Sequence, residues 1–273
     1  MNKLKKIKKF LLGSNHPIVA CVNLHGVIGK DSKLESALNI RSVEPLIKRA
    51  FEMKKVKAVV INVNSPGGSP VQSELIYNLI REQSQKKKIP VYTFAQDLAA
   101  SGGYFLLLSG DEIYAHNSSL IGSIGVIFSS FGFVDLIKKI GVERRVYTEG
   151  KNKAILDPFL PENQDNIEIL KEAQRDIFES FKDLVSSRRA GKLKESEDKL
   201  FTGAFWSGKK SVELGLVDAI ADMNSKMREK FGENVEVVQI STKKSFFKSL
   251  LSEKFAELAL NIEERLSFNR FGL

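Results

Sequence analysis

The apolar residues in the first half of the chain follow two alternating spacings, one typical of buried strands and the other of helices. Residues 18–24, 58–63 and 90–94 are short, mainly apolar runs, as expected of strands that are buried on both faces of a sheet. Between these runs, apolar side chains recur at steps of three and four residues, which predicts helices near 43–51 and 71–80. Because strands that alternate with helices are joined by right-handed crossovers, the sequence predicts an α/β fold with a mostly parallel sheet flanked by helices.

The second half of the chain shows the same alternation with shorter strand patterns. Strands are predicted at 112–115, 144–147, 217–220 and 235–240, helices near 134–140 and 167–184, and a loop at 148–161. Residues 245–266 carry an apolar stripe with lysine and glutamate opposite, which predicts an amphipathic helix. We therefore divide the chain into a basic N-terminal extension (1–15), one domain (16–240) and an amphipathic C-terminal helix (241–273).

Composition and charge narrow the classes of partner. The 273 residues are 42% apolar and 27% charged, as in ordinary soluble globular proteins. The net charge is +9, but the basic residues are scattered or crowded at the N-terminus and no nucleic-acid-binding motif is present, so we expect no nucleic acid partner. Attraction of the lysine-rich N-terminus to an anionic membrane surface stays open beside the simpler interpretation of a solvated basic surface.

Signals for membrane insertion, disulfides and bound metals are weak. No run reaches the roughly 18 to 20 apolar residues that cross a bilayer, and only Phe10, Leu11 and Leu12 follow the N-terminal lysines, too few for a signal peptide. The expectation is therefore a cytoplasmic protein, with peripheral membrane contact as the alternative. The one cysteine, Cys21, lies in a strand pattern and is predicted to be a buried structural residue. The sequence predicts neither a metal ion nor a cofactor.

The most informative polar residue is Ser101, in the stretch Asp-Leu-Ala-Ala-Ser-Gly-Gly-Tyr at residues 97–104. Apolar runs precede and follow this stretch, which predicts a strand, a tight turn and a helix. Such a turn exposes the hydroxyl, and the backbone N–H groups at the start of a helix point toward developing negative charge. An ordinary serine N-cap followed by a glycine turn explains the same residues, so the octapeptide alone leaves both interpretations open.

Hydrolysis of an amide by a serine also requires N–H donors that stabilise the oxyanion. Two glycine turns, each after a predicted strand, contain candidate donors: Gly68 in the turn at 65–69, and Gly102 directly after Ser101. Glycine suits both places because a bare backbone lets a substrate carbonyl approach closely. Either turn taken alone is also explained as an ordinary chain reversal.

Two kinds of side chain are candidates for the base that accepts the serine proton. The three histidines are His16, His25 and His116, and none lies in a context that suggests a catalytic triad, although His116 is the best placed of them. A lysine can serve only if burial lowers its pKa from about 10.4 toward neutrality, which excludes lysines on exposed helices. Lys153 lies on a loop that enters an apolar patch near two prolines, so it fits best among the lysines. The residues alone leave the choice open.

Five short motifs together resemble the signal peptide peptidase A (protease IV) family. They are Asn-Ser-Pro-Gly-Gly at 64–68, Ala-Ala-Ser-Gly-Gly-Tyr at 99–104, Gly-Ser-Ile-Gly-Val at 122–126, Gly-x-x-Lys at 150–153 and Gly-Leu-Val-Asp at 215–218. Each motif is weak alone, but they occur in the family's order and spacing between about residues 18 and 222. Residues after 240 lie outside the resemblance.

The resemblance implies a Clp-protease/crotonase-like fold of repeated ββα units and a serine peptidase that works without histidine. Position by position, Ser101 matches the nucleophile and Lys153 the general base. Ser123 matches the serine that holds the lysine aligned and neutral, while Gly68 and Gly102 match the oxyanion-hole donors. The implied substrates are small or apolar, signal-peptide-like or unfolded peptides.

The resemblance also implies a homo-oligomer, because family members assemble into rings or domes. In the short forms of the family the lysine can reach the serine of a neighbouring subunit. This sequence departs from most of the family in lacking an N-terminal membrane anchor, which puts in doubt a role inside the membrane. Two other functions stay open: a crotonase-like acyl-CoA enzyme, and a non-catalytic scaffold at a membrane surface.

Overall fold

The computed structural model describes residues 16–30, residues 37–241 and two residues near the end of the chain, Phe268 and Phe271. The predicted N-terminal extension lies outside the described residues, and so does nearly all of the predicted C-terminal helix. The chain divides into two compact units, the first made of residues 1–124 and 185–273 and the second of residues 125–184.

An eight-stranded sheet forms the centre of the first unit. Its order is β6-β5-β3-β2-β1-β8, with β4 against β3 and β7 against β4. All pairs are parallel except β5 with β6, so the predicted mostly parallel α/β architecture is confirmed. The strands are β1 (Ile18–His25), β2 (Val56–Ser65), β3 (Val91–Ala100), β4 (Glu112–Ala115), β5 (Leu120–Gly122), β6 (Phe205–Ser207), β7 (Ala219–Ile220) and β8 (Glu236–Ile240).

Helices connect these strands and pack against the sheet. The helices that lie wholly within the first unit are α1 (Ile40–Glu52), α2 (Pro70–Lys87), α3 (Gly102–Leu107), α6 (Glu197–Leu200), α7 (Gly208–Leu214) and α8 (Met223–Phe231). Local sequence explains where two of them begin. Asn39 and Ser42 form a capping box at the start of α1, and the Ser69 side chain accepts the Gln72 N–H at the start of α2.

The core of the first unit is built on the central strands β1, β2 and β3, whose side chains alternate between the two faces of the sheet. On one face, Val19, Cys21 and Val60 pack in a buried cluster with Met227 of α8. Burial of side chains of this size contributes about 1.5 to 3 kcal/mol each. Cys21 is fully buried, as predicted, and burial raises the pKa of its thiol to about 11.

The second unit contains α4 (Val134–Lys139), a long irregular segment and the first part of α5 (Gln164–Arg188), which continues into the first unit at residue 185. The helices predicted near 134–140 and 167–184 are confirmed. The strand predicted at 144–147 is wrong, because these residues have no strand partner in the described part of the chain. The Arg144 guanidinium instead donates to the Asp157 carboxylate at 2.9 Å.

A buried ion pair joins the end of α5 to the motif at 215–218. Arg189, whose side chain is 2% exposed, donates to both carboxylate oxygens of Asp218 at 3.0 Å and to the Gly215 carbonyl at 2.8 Å. Burial raises the pKa of Asp218, but the hydrogen bonds from Arg189, Lys192 and the Ile113 N–H outweigh burial and leave it lowered. Because the Tyr104 hydroxyl donates to the neighbouring Leu216 carbonyl at 2.9 Å, this motif also holds α3.

Among the residues that the structure describes, no helix is both long enough and apolar enough to cross a bilayer.

Candidate active site

The third strand, β3, changes its neighbour just before Ser101. Residues 92–94 pair with β4, whereas residues 98–100 pair with β5. On its other side, β3 pairs with β2 and the register breaks, because Val63 pairs with Ala95 but Ser65 pairs with Ala99. The strand therefore runs further than the sequence indicated, to Ala100, and delivers Ser101 directly to the start of α3.

The Ser101 backbone has φ +52° and ψ −121°, values that favour glycine over residues with a side chain. Its N–H donates to the Gly122 carbonyl at 2.8 Å, and its carbonyl accepts the Phe105 N–H at 3.0 Å. Ser101 occupies the N-cap position of α3, but its side chain makes no capping hydrogen bond. The simple N-cap interpretation therefore fails, and the half-buried hydroxyl has no partner among the described residues.

The glycine turn at 66–69 lies directly against Ser101. A Cβ atom added to Gly67 would lie 2.7 Å from the Gly102 nitrogen and 2.8 Å from the Ser101 Cβ. Gly67 and Gly68 have φ values of +98° and +141°, which residues with a side chain rarely adopt. Two features of glycine, its missing Cβ and its freedom at positive φ, thus bring the turn into contact with the serine.

Hydrogen bonds in this turn occupy every N–H group except one. The Gly67 N–H donates to Ser65 Oγ at 3.1 Å, and the Ser69 N–H donates to the Ile28 carbonyl at 2.8 Å. Pro66 has no N–H. Within the described part of the chain, the Gly68 N–H donates to nothing, and the same holds for Gly102 at the start of α3. These are the two N–H groups that the sequence predicted as oxyanion donors.

Ser123 lies directly after β5, the strand that pairs with the end of β3. It directly follows Gly122, whose carbonyl accepts the Ser101 N–H. Ser123 is buried, with φ +52°, and its own N–H donates to the Ala204 carbonyl at 2.7 Å. The first unit therefore brings together four of the five predicted site residues, namely Ser101, Ser123, Gly68 and Gly102.

Lys153 belongs to the second unit, where it lies in a turn that follows Gly150. Its N–H donates to the Gly150 carbonyl at 3.1 Å, and its side chain is exposed. The burial that a neutral lysine requires is therefore not supplied around Lys153 by the described residues of a single chain. Nearby Lys151 is also exposed and pairs with Asp165 at 3.1 Å.

The histidines provide no base for Ser101 in this structure. His25 is exposed at the end of β1, with its ring stacked on Phe268 at a centroid distance of 6.1 Å. His116 follows β4, and His16 precedes β1; both are exposed. Within the described residues, none of the three forms a hydrogen bond with the Ser101 hydroxyl.

The sequence did not predict an apolar cluster that lies next to Ser101. Leu98 and Ala100 pack with Phe271, and the Phe205 and Phe271 rings meet edge to face at 5.1 Å. Single apolar residues so far apart in the chain carry no periodic signal, so only the fold reveals the cluster. Because Leu98 and Ala100 are fully buried, the cluster packs the end of β3 that leads to Ser101.

Among the described residues, no group of three or more His, Cys, Asp or Glu side chains is arranged to hold a metal ion.

Comparison with protein families gives two matches. The model described as "Peptidase family S49" matches residues 83–237, and the model described as "Clp protease" matches residues 42–121. The first range contains Ser101, Ser123 and Lys153, and both contain Ser101. The second match confirms the expected likeness to the Clp protease fold.

Three curated relatives illustrate the range of similarity. A Brucella abortus protein named Na(+)/H(+) antiporter NhaA is 49% identical over 220 residues, which are 80% of this chain but 30% of that protein. A putative signal peptide peptidase SppA from Enterococcus faecium is 30% identical, over 90% of this chain and 73% of its own length. Protease 4 of Haemophilus influenzae is 34% identical, over 76% of this chain and 33% of its own length. The chain thus spans about a third of two of these relatives.

We expect Gly67→Ala to destabilise the first unit by about 2 kcal/mol, because the new Cβ overlaps backbone atoms at a positive φ. Chemical denaturation measures this loss. Gly29→Ala is the matched control, since a Cβ there meets no atom within 4 Å. Equal stability of the two variants would contradict the close approach of the turn to Ser101.

We expect Ser101→Gly to be more stable than Ser101→Ala by about 1 kcal/mol, because glycine adopts the observed φ and ψ without the strain that a Cβ causes. Both variants lose the hydroxyl, so the difference in stability between them reports on the strain in the backbone at residue 101. Thermal unfolding of the two variants measures the difference. A Ser101→Gly protein that unfolds at the lower temperature would show that the backbone is not strained there.

Proposed function

Because this chain belongs to peptidase family S49, we propose that it is a serine endopeptidase with Ser101 as nucleophile and Lys153 as general base. Ser123 holds the lysine, and the N–H groups of Gly68 and Gly102 form the oxyanion hole. One observation carries the proposal: the strained Ser101 lies against the glycine turn at 66–69. The N–H groups of Gly68 and Gly102, one on each side of this contact, have no acceptor among the described residues.

The proposed reaction is acyl transfer through an ester on Ser101. Neutral Lys153 takes the hydroxyl proton while Ser101 Oγ bonds to the peptide carbonyl carbon, and the oxyanion accepts hydrogen bonds from Gly68 and Gly102. As the carbonyl re-forms, the C–N bond breaks and the leaving amine takes the proton from Lys153. Water then attacks the ester carbonyl while the same lysine takes its proton. The bond to Ser101 Oγ breaks, the acid is released, and Lys153 returns the proton to Ser101 Oγ. Loss of one oxyanion donor typically costs about 100- to 1,000-fold in rate.

The proposed substrates are extended peptides with small or apolar residues at the cleaved bond. The name of the Enterococcus faecium relative, a putative signal peptide peptidase, points to the same class of peptide. Signal-peptide-like and unfolded segments both fit this description.

We also propose that the protein works as a homo-oligomer in which assembly buries Lys153. The lysine needs a water-poor environment to lose its proton, and it is exposed in the single chain. The same unit exposes large apolar side chains, with Phe131 80% and Tyr147 90% exposed. Exposed apolar surface of this kind is typical of an interface with another chain.

We expect a fluorophosphonate probe to label the wild-type protein at Ser101, and Ser101→Ala to abolish labelling. Lys153→Met should slow labelling at least about 100-fold, because the base no longer removes the serine proton. Lys151→Met is the matched control, since Lys151 is equally exposed and lies two residues away. Peptide mapping by mass spectrometry locates the label, and hydrolysis of an apolar peptide gives kcat/KM.

The alternatives predict different outcomes in the same assay. A crotonase-like enzyme would turn over an enoyl-CoA and retain that activity in Ser101→Ala. A membrane-surface scaffold would sediment with anionic liposomes and show no labelling. Labelling of wild-type protein that is unchanged by Lys153→Met, but lost in Ser101→Ala, would keep the nucleophile and refute the lysine.

We expect chains carrying Ser101→Ala and chains carrying Lys153→Met to restore activity when they are assembled together. If the lysine of one subunit serves the serine of another, random mixing of two subunit types gives about a quarter of the wild-type sites. Each variant assembled alone provides the background. Wild-type activity without any recovery in the mixture would show that serine and lysine pair within one chain.

A further inference from the structure

The side chains of Asn64 and Asp97 are hydrogen-bonded to each other at the break in register between β2 and β3. β3 carries two more residues than β2 between the pairs Val63–Ala95 and Ser65–Ala99, so the strand bulges opposite Asn64. Bulges in strands often re-aim the residues that follow them and are common next to active sites. Here the bulge lies between the part of β3 that pairs with β4 and the part that pairs with β5.

Asn64 makes two hydrogen bonds to this bulge. Its Oδ1 accepts the Leu98 N–H at 3.1 Å, and its Nδ2 donates to Asp97 Oδ2 at 2.8 Å. Leu98 is fully buried and Asn64 is 7% exposed. Without the carboxamide oxygen, the bulge would leave a buried N–H without an acceptor, which destabilises the bulge.

The two side chains also lie at matching positions in the strands that precede the two turns of the proposed site. Asn64 comes four residues before Gly68, and Asp97 comes four residues before Ser101. The residue after Asn64 reinforces this link, because a Cβ added to Gly103 would lie 2.5 Å from the Ser65 carbonyl oxygen. A shift at Asn64 or Asp97 therefore changes the position of the oxyanion donor relative to the nucleophile.

We infer that Asn64 and Asp97 are positioning residues that fix the glycine turn at 66–69, which carries the proposed donor Gly68, relative to Ser101. This inference rests on the proposed function. Neither side chain touches the substrate carbonyl in the proposed reaction, and both act through the backbone of the bulge. Misplacement of reacting groups by about 1 Å is enough to cost roughly 100-fold in rate.

Asp97 provides the safer variants because its side chain is exposed, whereas Asn64 is buried. We expect Asp97→Ala to lower kcat and the rate of fluorophosphonate labelling about tenfold, with KM and the unfolding temperature nearly unchanged. Asp97→Asn should restore both rates to within about threefold of wild type, because its carboxamide oxygen still accepts the Asn64 N–H. Gln96→Ala, at the exposed neighbouring position, is the matched control and should leave both rates unchanged.

An exchange of the two side chains tests the pair itself. Asn64→Asp places two carboxylates in contact and should slow labelling about 100-fold. The double variant Asn64→Asp with Asp97→Asn restores one donor and one acceptor, so we expect labelling to recover at least tenfold over Asn64→Asp. Asn62→Asp is the matched control for a buried asparagine on the same strand, also 7% exposed, and should affect stability more than labelling.

The outcomes separate this inference from the proposed function. If wild-type Ser101 is not labelled, the proposed function fails and the inference falls with it. If the wild type is labelled but Asp97→Ala reacts at the wild-type rate, the inference alone is overturned. Failure of the exchange to improve on Asn64→Asp would likewise overturn the pairing, even if each single variant were slow.

Discussion

Ser101 is held in a backbone conformation that its own side chain disfavours, and most of the neighbouring structure is arranged around that conformation. The N–H of Ser101 donates to the carbonyl of Gly122 in β5. Gly67, in the turn after β2, packs closely against the Cβ of Ser101. Strain of this kind costs about 1 to 3 kcal/mol and persists only where surrounding contacts over-determine it. The parallel core on either side of β3 supplies those contacts, which is why the serine turn and the glycine turn follow adjacent strands.

The two units contribute differently to the proposed site. In the first unit, hydrogen bonds and close backbone contacts position Ser101 and the N–H groups of Gly68 and Gly102 within one chain. The second unit presents Lys153 on an exposed turn, together with apolar side chains such as Phe131 and Tyr147 that have little contact with their own chain. In the proposed mechanism, the folding of one chain therefore positions Ser101, whereas assembly with other chains sets the protonation state of Lys153.

The sequence predicted most strands and helices because buried runs and helical spacing are local signals. It also singled out Ser101, Ser123, Gly68 and Gly102, because short motifs record where the backbone must turn; the fold brings these residues together, and their roles stay predictions. The strand at 144–147 was wrong because the β propensity of Val146 and Tyr147 cannot show whether a partner strand is present. The extension of β3 to Ala100 and the Asn64–Asp97 pair were missed for a related reason. Both depend on a register break between strands, which no single segment reveals.

The change of partner along β3 bears on how the chain can be divided. The peptidase family match begins at residue 83, inside α2, and so excludes β1, β2 and the turn that carries Gly67 and Gly68. A fragment cut at that boundary would expose the edge of β3 that pairs with β2 and would lose the Gly68 N–H group, one of the two proposed oxyanion donors. The family model therefore matches fewer residues than those that build the sheet around Ser101, and a fragment that keeps this sheet has to begin upstream of Ile18.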